Sequence, residues 1–368
     1  IVADDSDHMS GKELRECSDD TLDERLESVA VFSRVTPDQK LRIVERLQAL
    51  GHVVAMTGDG DNDAPALSQA NIGVAMGNTG TDVARDASDM VLQDDNFSNI
   101  VSAVEEGRKL YLNIRNFVRY QISTNVAAVL LVIIATFIFG WDLPLTATQL
   151  LVINILMDGP PAVALGIERR HSNVMDQPPR RLDESLPTPV DMSLIFFLGI
   201  VMVIGTAAIF WFSGGAIISG EPCTEFDGSI DEGYLDVETG ECVEEEWRAD
   251  AEDRFTRAQT GAFAVFILFQ LFNVLNCRSI NRSVFQLGLF NNRAITISFA
   301  LSAALLLLIV QGAYWEIPFT SVALGDLLSV VPLEPIDWAI VFATASCVFF
   351  ADELRKLIFR VRALSKMQ

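Results

Sequence analysis

The sequence predicts a cytoplasmic α/β domain followed by an all-α membrane domain of six transmembrane helices. Half of its 368 residues are hydrophobic and the mean hydropathy is +0.31, values that are typical of membrane proteins. Long apolar stretches occur only in the second part of the chain, whereas the first part alternates short apolar runs with helical patterns. We therefore place the α/β domain at residues 1–104 and the transmembrane domain at residues 105–368.

Charge and composition exclude several classes of protein. Lys and Arg total 27 against 49 Asp and Glu, a formal net charge of −22, so nucleic acid and anionic lipid headgroups are poor partners. Five cysteines and three histidines are too few for a disulfide-dense scaffold or a His-rich metal site. Any metal is therefore expected to be a hard cation with oxygen ligands.

Short apolar runs and helical patterns alternate in the first part of the chain. Such alternation predicts parallel strands with helices on both faces, a Rossmann-like arrangement in which ligands bind at the carboxyl ends of the strands. The predicted strands are Val29–Ser33, Val53–Met56, Ile72–Met76 and Met90–Leu92, and the clearest helices are Pro37–Leu50 and Thr81–Ala87.

Six stretches of the second part are apolar enough to cross a bilayer, which takes about 20 residues each. The loops after the second and fourth stretches and the C-terminal tail are rich in arginine, which places them and the α/β domain in the cytoplasm. We expect a multi-pass protein of the cell membrane. The predicted spans are Val118–Phe139, Thr146–Ile167, Leu194–Phe212, Thr260–Asn276, Ile295–Tyr314 and Ile336–Phe350.

An acidic loop at residues 213–256 is predicted to face the outside of the membrane. Its two cysteines, Cys223 and Cys242, lie beyond the reducing cytoplasm and are either bridged or free thiols. The acidic side chains are either a solvated surface or a means of attracting cations.

The string TGDGDNDAPAL, residues 57–67, follows the second predicted strand directly. Its glycines permit a tight turn close to a ligand, and Asp59 and Asp63 are spaced so that they can converge. Two carboxylates at a strand end suit Mg²⁺, which neutralises phosphate oxygens during phosphoryl transfer. We predict a magnesium and phosphate site here, with Thr57, Gly58 and Gly60 contacting the cofactor. The alternative is an Asx-rich turn that caps a helix.

Lys40 lies in the first turn of a predicted helix, in the string VTPDQK. A positive charge at this end opposes the helix dipole, so we expect Lys40 to serve an anion rather than helix stability. The alternative is a solvated surface lysine.

Asp158 lies inside the second predicted span, next to Gly159, Pro160 and Pro161. A carboxylate in a bilayer is costly and indicates a functional site. The prolines cannot donate to the carbonyls four residues earlier, so the helix is expected to break beside Asp158. Asn154 lies one turn earlier and adds a second side-chain oxygen for a hard cation. The alternative is a polar pair that hydrogen-bonds neighbouring helices.

Several strings together resemble the C-terminal part of a P-type cation-transporting ATPase, most closely a type IIA calcium pump of the secretory-pathway calcium/manganese branch. The resemblance implies a haloacid-dehalogenase-like phosphorylation domain in which Lys40 contacts the phosphoryl group, Asp59 binds Mg²⁺, and Asn62 and Asp63 complete the site. It also implies ATP as the energy source and Ca²⁺, or Mn²⁺, as the transported ion. The strings are VFSRVTPDQK (31–40), MTGDGDNDAPAL (56–67), GVAMG (73–77), DDNF (94–97) and MDGPP (157–161).

The resemblance also shows what the chain lacks. The family's phosphorylated aspartate lies in a DKTGT string that does not occur here, and the nucleotide-binding domain, the actuator domain and the first four membrane helices have no counterpart. We therefore expect a fragment that does not autophosphorylate alone, that works with the remaining N-terminal part of the pump, and in which ATP is bound mainly by the absent domains.

By the same resemblance, Asn154 and Asp158 match two ligands of one calcium site. A second site is largely missing, because Ala128, Met157 and Gln270 replace its ligands and only Asn125 is retained. One cation per cycle is expected. Asn125 is either a ligand or an amide that packs against a neighbouring helix.

Two other functions are compatible with the sequence: a pump for sodium or another monovalent cation, and a non-catalytic membrane protein that binds Mg²⁺ through Asp59 and Asp63. The chain has only five lysines, beside its many carboxylates. This composition resembles that of proteins from salt-loving archaea, in which high salt screens the repulsion between carboxylates.

Overall fold

The structure is a computed structural model. It describes residues 8–168, 174–178, 180, 184–215, 245–316 and 323–365, together with three short strands between residues 222 and 243. Most of the acidic loop lies outside the described residues, as do the side chains of Cys223 and Cys242. The chain divides into two compact units: Ile1–Arg108 with Val174–Glu184, and Lys109–Asn173 with Ser185–Gln368.

The first unit contains two parallel sheets. Strand β1 (His8–Ser10) pairs with β2 (Val31–Ser33), and β3 (Ala55–Gly58), β4 (Ile72–Met76) and β5 (Met90–Leu92) form a second sheet in that order. The predicted α/β fold class is confirmed. The helices of this unit are α1 (Gly11–Glu16), α2 (Asp19–Leu26), α3 (Pro37–Ala49), α4 (Ala64–Gln69) and α5 (Asp82–Asp86).

The three-stranded sheet is covered on both faces because its side chains alternate. Ala75 of β4 packs with Leu67 of α4 and Ala84 of α5. Val74 and Met76, its neighbours on the strand, pack on the opposite face. A strand buried on both faces is typical of parallel sheets, which explains the continuous apolar run of β4.

The strand predictions need correction at three points. Strand β2 begins at Val31, two residues later than the predicted Val29. Strand β3 begins two residues later than predicted and ends at Gly58, because the backbone amide of Val54 donates to the Asn71 side chain instead of to a neighbouring strand. Strand β1 was not predicted. It pairs with β2 through three residues, and these two strands form a sheet of their own, separate from that of β3, β4 and β5.

The second unit is helical. Helix α6 (Ser98–Ile133) begins within the first unit and continues into the second. The other helices are α7 (Ala147–Val152), α8 (Gly159–Gly166), α9 (Pro189–Phe212), α10 (Glu245–Cys277), α11 (Val284–Leu287), α12 (Arg293–Gln311), α13 (Leu324–Leu328) and α14 (Pro335–Ser365).

Six helical segments are long and apolar enough to cross a membrane within the part of the chain that the structure describes, as the sequence predicts. They are Ser98–Ile138, Ala147–Gly166, Pro189–Phe212, Glu252–Cys277, Arg293–Gln311 and Pro335–Arg362.

Helix α10 is the centre of the helical unit, since 94% of its most apolar segment is buried. Phe263, Phe266 and Phe269 are completely buried. A Cβ atom at Gly205 of α9 would lie 2.3 Å from Cζ of Phe269, so only glycine lets the two helices pack this closely. The side-chain amide of Asn276 donates to the carbonyl of Val348 in α14 over 3.0 Å.

The second span is not a continuous α-helix. Helix α7 runs into a π-helical turn at Ile153–Met157, and helix α8 begins after Asp158. The amide of Asp158 donates to the carbonyl of Ile153, five residues earlier, over 3.0 Å. This geometry is the predicted interruption beside the prolines, in the form of a wider turn that is common at functional sites.

The remaining short strands form an antiparallel sheet in the order β6 (Pro222–Cys223), β7 (Gly233–Leu235) and β8 (Cys242–Val243).

Candidate functional site

The first candidate site lies at the carboxyl end of β3, where parallel sheets commonly bind ligands. Gly58 is the last residue of the strand. A Cβ atom at this position would lie only 2.5 Å from Cβ of Asp63. Glycine is therefore required here so that the loop can fold back and bring Asp63 against the strand end.

Asp63 and Lys40 form an ion pair in this loop. Nζ of Lys40, on α3, lies 2.6 Å from Oδ1 of Asp63. The other carboxylate oxygen, Oδ2, accepts from the backbone amides of Asp59 and Gly60, each at 3.4 Å. Asp63 is buried and Lys40 is about a third exposed, so the pair presents a partly accessible ammonium group at the strand end.

Asp59 differs from Asp63 in its surroundings. Its side chain is exposed and has no hydrogen-bond partner among the described residues, while its carbonyl accepts from the amide of Thr81 over 2.9 Å. Asn62 is also exposed. A Cβ atom at Gly60 would have no neighbour closer than 4.0 Å, so space remains beside Asp59.

Of the two carboxylates predicted to bind Mg²⁺, that of Asp59 is exposed and that of Asp63 is buried. The Asp59 carboxylate is a hard oxygen ligand that a cation can reach from solvent. In this structure both oxygens of Asp63 already accept hydrogen bonds, one from Lys40 and one from backbone amides. The contribution of Asp63 to metal binding, like that of Asn62, remains a prediction.

Asp95 holds the neighbouring loop, which follows β4. Its carboxylate accepts from the backbone amides of Asn78 and Thr79, both at 3.0 Å, and from the Thr79 hydroxyl at 2.9 Å. The amide of Asn78 is the main reason that the pKa of Asp95 lies below its usual value. The DDNF string therefore has a visible role here, since Asp95 shapes the loop after β4.

The second candidate site is built around Asp158 in the helical unit. The carboxylate is almost completely buried. Oδ1 accepts from the Tyr120 hydroxyl at 3.0 Å and Oδ2 from the side-chain amide of Gln121 at 3.4 Å. Thr124 is a further side-chain hydrogen-bond partner of Asp158. All three partners lie on α6, so one helix holds the carboxylate beside the helix break.

Asn154 and Asn125 lie in different surroundings from Asp158. Both side chains are exposed, and neither has a hydrogen-bond partner in the described part of the chain. Asn154 lines a groove of about 460 Å³ with Gln121, Gly159 and five further residues. The predicted pairing of Asn154 with Asp158 is thus not a direct contact here, and Asn125 makes none of the helix-packing bonds offered as its alternative role.

The resemblance assigns a second ion site to positions that hold Ala128, Met157 and Gln270 in this chain, none of which carries a charge. Met157 and Gln270 are buried, and the amide oxygen of Gln270 has no hydrogen-bond partner among the described residues. Within the described residues, no three His, Cys, Asp or Glu side chains come close enough to hold a metal ion.

Sequence reasoning missed Tyr120 and Gln121. Both lie within the first predicted span, and a polar glutamine in an apolar span was the available signal. Their contact with Asp158 depends on how α6 packs against the second span, and local patterns do not report packing of this kind.

Comparison with known proteins identifies both parts of the chain. Residues 142–358 match the family model described as the C-terminus of cation-transporting ATPases. Residues 2–71 and 41–104 match two models for haloacid dehalogenase-like hydrolases.

Curated relatives extend these matches over most of the chain. A calcium-transporting ATPase 1 from Yarrowia lipolytica is 37% identical over 96% of this chain and 33% of its own length. The type 2C member 2 calcium-transporting ATPase of Rattus norvegicus is 37% identical over 95% of this chain and 32% of its own length. The human type 2C member 1 enzyme is 41% identical over 78% of this chain and 27% of its own. The chain spans about a third of the length of these relatives.

Proposed function

This chain belongs to the cation-transporting ATPases, and from that membership we propose that it is the C-terminal part of an ATP-driven pump that exports Ca²⁺ from the cytoplasm. The observation that carries the proposal is a buried carboxylate, Asp158, beside a broken helix in a predicted membrane span. The relatives named as calcium-transporting ATPases support this choice of ion.

The phosphate site supplies the chemistry of the cycle in this proposal. Lys40 would contact the phosphoryl group, and its ammonium charge is already held at the strand end by Asp63. Asp59 would hold Mg²⁺, with Asn62 and Asp63 completing the site. Bound Mg²⁺ would neutralise negative charge on the phosphate. The acceptor of the phosphoryl group is an aspartate outside this chain, as in the DKTGT string of the family.

The transport site comprises Asp158 and Asn154, with Asn125 as a further candidate ligand. One carboxylate and one or two amide oxygens are hard ligands that suit Ca²⁺ or Mn²⁺ when another helix adds a second carboxylate. Ala128, Met157 and Gln270 supply no charge for a second divalent ion. A single ion per cycle follows.

Orientation in the membrane is proposed from the arginine-rich loops, which place the α/β unit and the C-terminus in the cytoplasm. The chain has the helices of a multi-pass membrane protein, and we propose the cell membrane as its location. Protease protection of the two ends in sealed vesicles tests the orientation, and membrane fractionation tests the location.

The deciding experiment measures phosphoenzyme formation from ATP by the full-length gene product. We expect it to require Ca²⁺, and the Asp158→Asn variant to form none in Ca²⁺. Asp326→Asn, which changes an exposed carboxylate of α13, is the matched control and should behave as wild type.

Two outcomes would favour the other functions. Phosphorylation that depends on Na⁺ and ignores Ca²⁺ would identify a monovalent-cation pump. Absence of any phosphoenzyme, together with Mg²⁺ binding that is lost in Asp59→Ala, would identify a non-catalytic magnesium-binding membrane protein.

A further inference from the structure

Among the residues that the structure describes, Gln121 is the one whose side chain both hydrogen-bonds the carboxylate of Asp158 and lines the groove of Asn154. Tyr120 and Thr124, the other partners of the Asp158 carboxylate, are both buried and do not line the groove. Gln121 is only partly buried. Gln121 therefore differs from the other two partners of the carboxylate, because they are enclosed by protein and Gln121 borders the groove.

The bond from Gln121 to Asp158 is long. Nε2 of Gln121 lies 3.4 Å from Oδ2 of Asp158, compared with 3.0 Å for the hydroxyl of Tyr120. A hydrogen bond at that length is near the limit of a useful interaction. Breaking it costs little, so Gln121 is the partner that can most easily change its contact.

A glutamine amide can play two opposite roles at one position. Its NH₂ group donates to a carboxylate, whereas its carbonyl oxygen is a ligand for hard cations. The terminal torsion is soft and has two broad minima, so a half-turn exchanges the two groups. Without an ion, Asp158 attracts the NH₂ side, and a cation on Asp158 would repel that side and attract the oxygen.

We propose that Gln121 is a ligand of the transported cation, supplying its carbonyl oxygen between the contributions of Asp158 and Asn154. This inference rests on the proposed transport function. Gln121 would be a third oxygen ligand beside Asp158 and Asn154. It lies on α6, whose other candidate ligand is the exposed Asn125.

The test compares Gln121→Leu with Gln121→Met in the full-length protein, by equilibrium binding of ⁴⁵Ca²⁺ and ¹⁰⁹Cd²⁺. Both variants lose the amide, and they differ in that the Met thioether is a soft ligand that suits Cd²⁺ but not Ca²⁺. We expect both to lower Ca²⁺ affinity about tenfold. We expect the Met variant to bind Cd²⁺ several times more tightly than the Leu variant.

A role limited to orienting Asp158 gives a different pattern. Neither variant retains an N–H donor, so the two would then bind Cd²⁺ equally, and that result would overturn the inference. Unchanged Ca²⁺ affinity in Gln121→Leu would overturn it as well. If the Leu variant does not fold, the Met variant is compared with wild type by its ratio of Cd²⁺ affinity to Ca²⁺ affinity. A ligand role for Gln121 raises this ratio above the wild-type value. A role limited to orienting Asp158 leaves the ratio unchanged, which would overturn the inference.

Two controls separate this inference from the proposed function. Gln311→Leu changes an exposed glutamine of α12 that donates to the carbonyl of Leu333, and it should leave both affinities at wild-type values. A wild-type protein that binds no Ca²⁺ would refute the transport function itself. Wild-type binding with unaltered binding in both Gln121 variants would refute only the role of Gln121.

Discussion

The ammonium group of Lys40 lies 2.6 Å from Oδ1 of Asp63, while Oδ2 of Asp63 accepts from the amides of Asp59 and Gly60. One buried carboxylate therefore connects α3 to the loop after β3. The Asp63 carboxylate holds the ammonium group of Lys40. It also accepts from the backbone amide of Asp59, whose own carboxylate is exposed. The positions of Lys40 and Asp59, two candidate residues of the phosphate site, thus depend on Asp63.

Asp63→Asn should lower phosphoenzyme formation at least tenfold and reduce the free energy of unfolding by about 1–3 kcal/mol, because buried hydrogen-bonding groups lose their partner. The measurements are the initial rate of phosphorylation and chemical denaturation of the same preparation. Asp61→Asn, an exposed carboxylate in the same loop, is the control. Normal stability in Asp63→Asn would mean that the ion pair contributes nothing to the fold.

Asp59→Ala should nearly abolish ATP turnover while leaving stability unchanged. The side chain is exposed and has no hydrogen-bond partner in the described structure, so only the proposed Mg²⁺ contact is lost. ATPase activity and the thermal unfolding midpoint are measured together. Normal activity would remove Asp59 from the magnesium site.

Lys40→Ala should weaken activity in the same assay, because the ammonium group proposed to contact the phosphoryl group is lost. An unchanged rate would mean that Lys40 is a surface lysine without a role in the reaction.

The full-length protein should bind one Ca²⁺ for each phosphorylation site. Two divalent ions sharing Asp158 and one further carboxylate would be poorly neutralised in a medium of low dielectric constant. Bound ⁴⁵Ca²⁺ and the maximum amount of phosphoenzyme are determined on one preparation. A ratio near two would contradict the single site and restore a role for Gln270 or its neighbours.

Hydrogen exchange of the loop after β4 should depend on pH through Asp95. Its folded-state pKa lies below the unfolded value of about 3.9. The contribution of this carboxylate to stability is therefore complete above pH 4 and is lost as pH falls through the folded pKa. We expect protection of the Asn78 and Thr79 amides to decrease below about pH 4, after correction for intrinsic exchange.

The control for this prediction is a pair of substitutions. Asp95→Asn should remove most of the pH dependence of the loop, because its amide oxygen accepts at every pH. Asp82→Asn, which alters an exposed carboxylate close by in sequence, should retain it. Equal pH profiles for wild type and Asp95→Asn would show that another group controls the loop.

Residues 1–104, expressed alone, should become more stable as KCl rises toward molar concentration. Their carboxylates repel one another at low salt and are screened at high salt. The midpoint of thermal unfolding, followed by circular dichroism, checks this directly. A midpoint that does not change with KCl would remove the resemblance to proteins of salt-loving organisms.

The elements that the sequence predicted best are those with strong local signals. Strands β4 and β5 have the predicted bounds, and α3 ends one residue before the predicted end. Pro37 at the helix start and the bond from the Thr36 amide to the Gln39 side chain explain why α3 starts where it was expected. Such signals lie within a few residues of the feature they determine.

The parts that escaped prediction depend on contacts between distant residues. Each of these contacts joins residues at least 20 positions apart in the sequence. They are the pairing of β1 with β2, the ion pair of Lys40 with Asp63, and the bonds of Tyr120 and Gln121 to Asp158. Asp158 itself was found because a carboxylate in a membrane span is rare. What surrounds it follows from helix packing.

The burial of α10 has a consequence for biosynthesis. Gln270, Asn273 and Asn276 of this helix are all buried in the folded protein. The side-chain amide of Asn276 donates to the carbonyl of Val348 on α14. Because α14 is translated after α10, the side chain of Asn276 enters the bilayer before its partner exists, whereas Asn273 donates to Ser123 of the earlier helix α6. Termination before residue 335 would therefore leave the side-chain amide of Asn276 without the partner that it has in the folded protein.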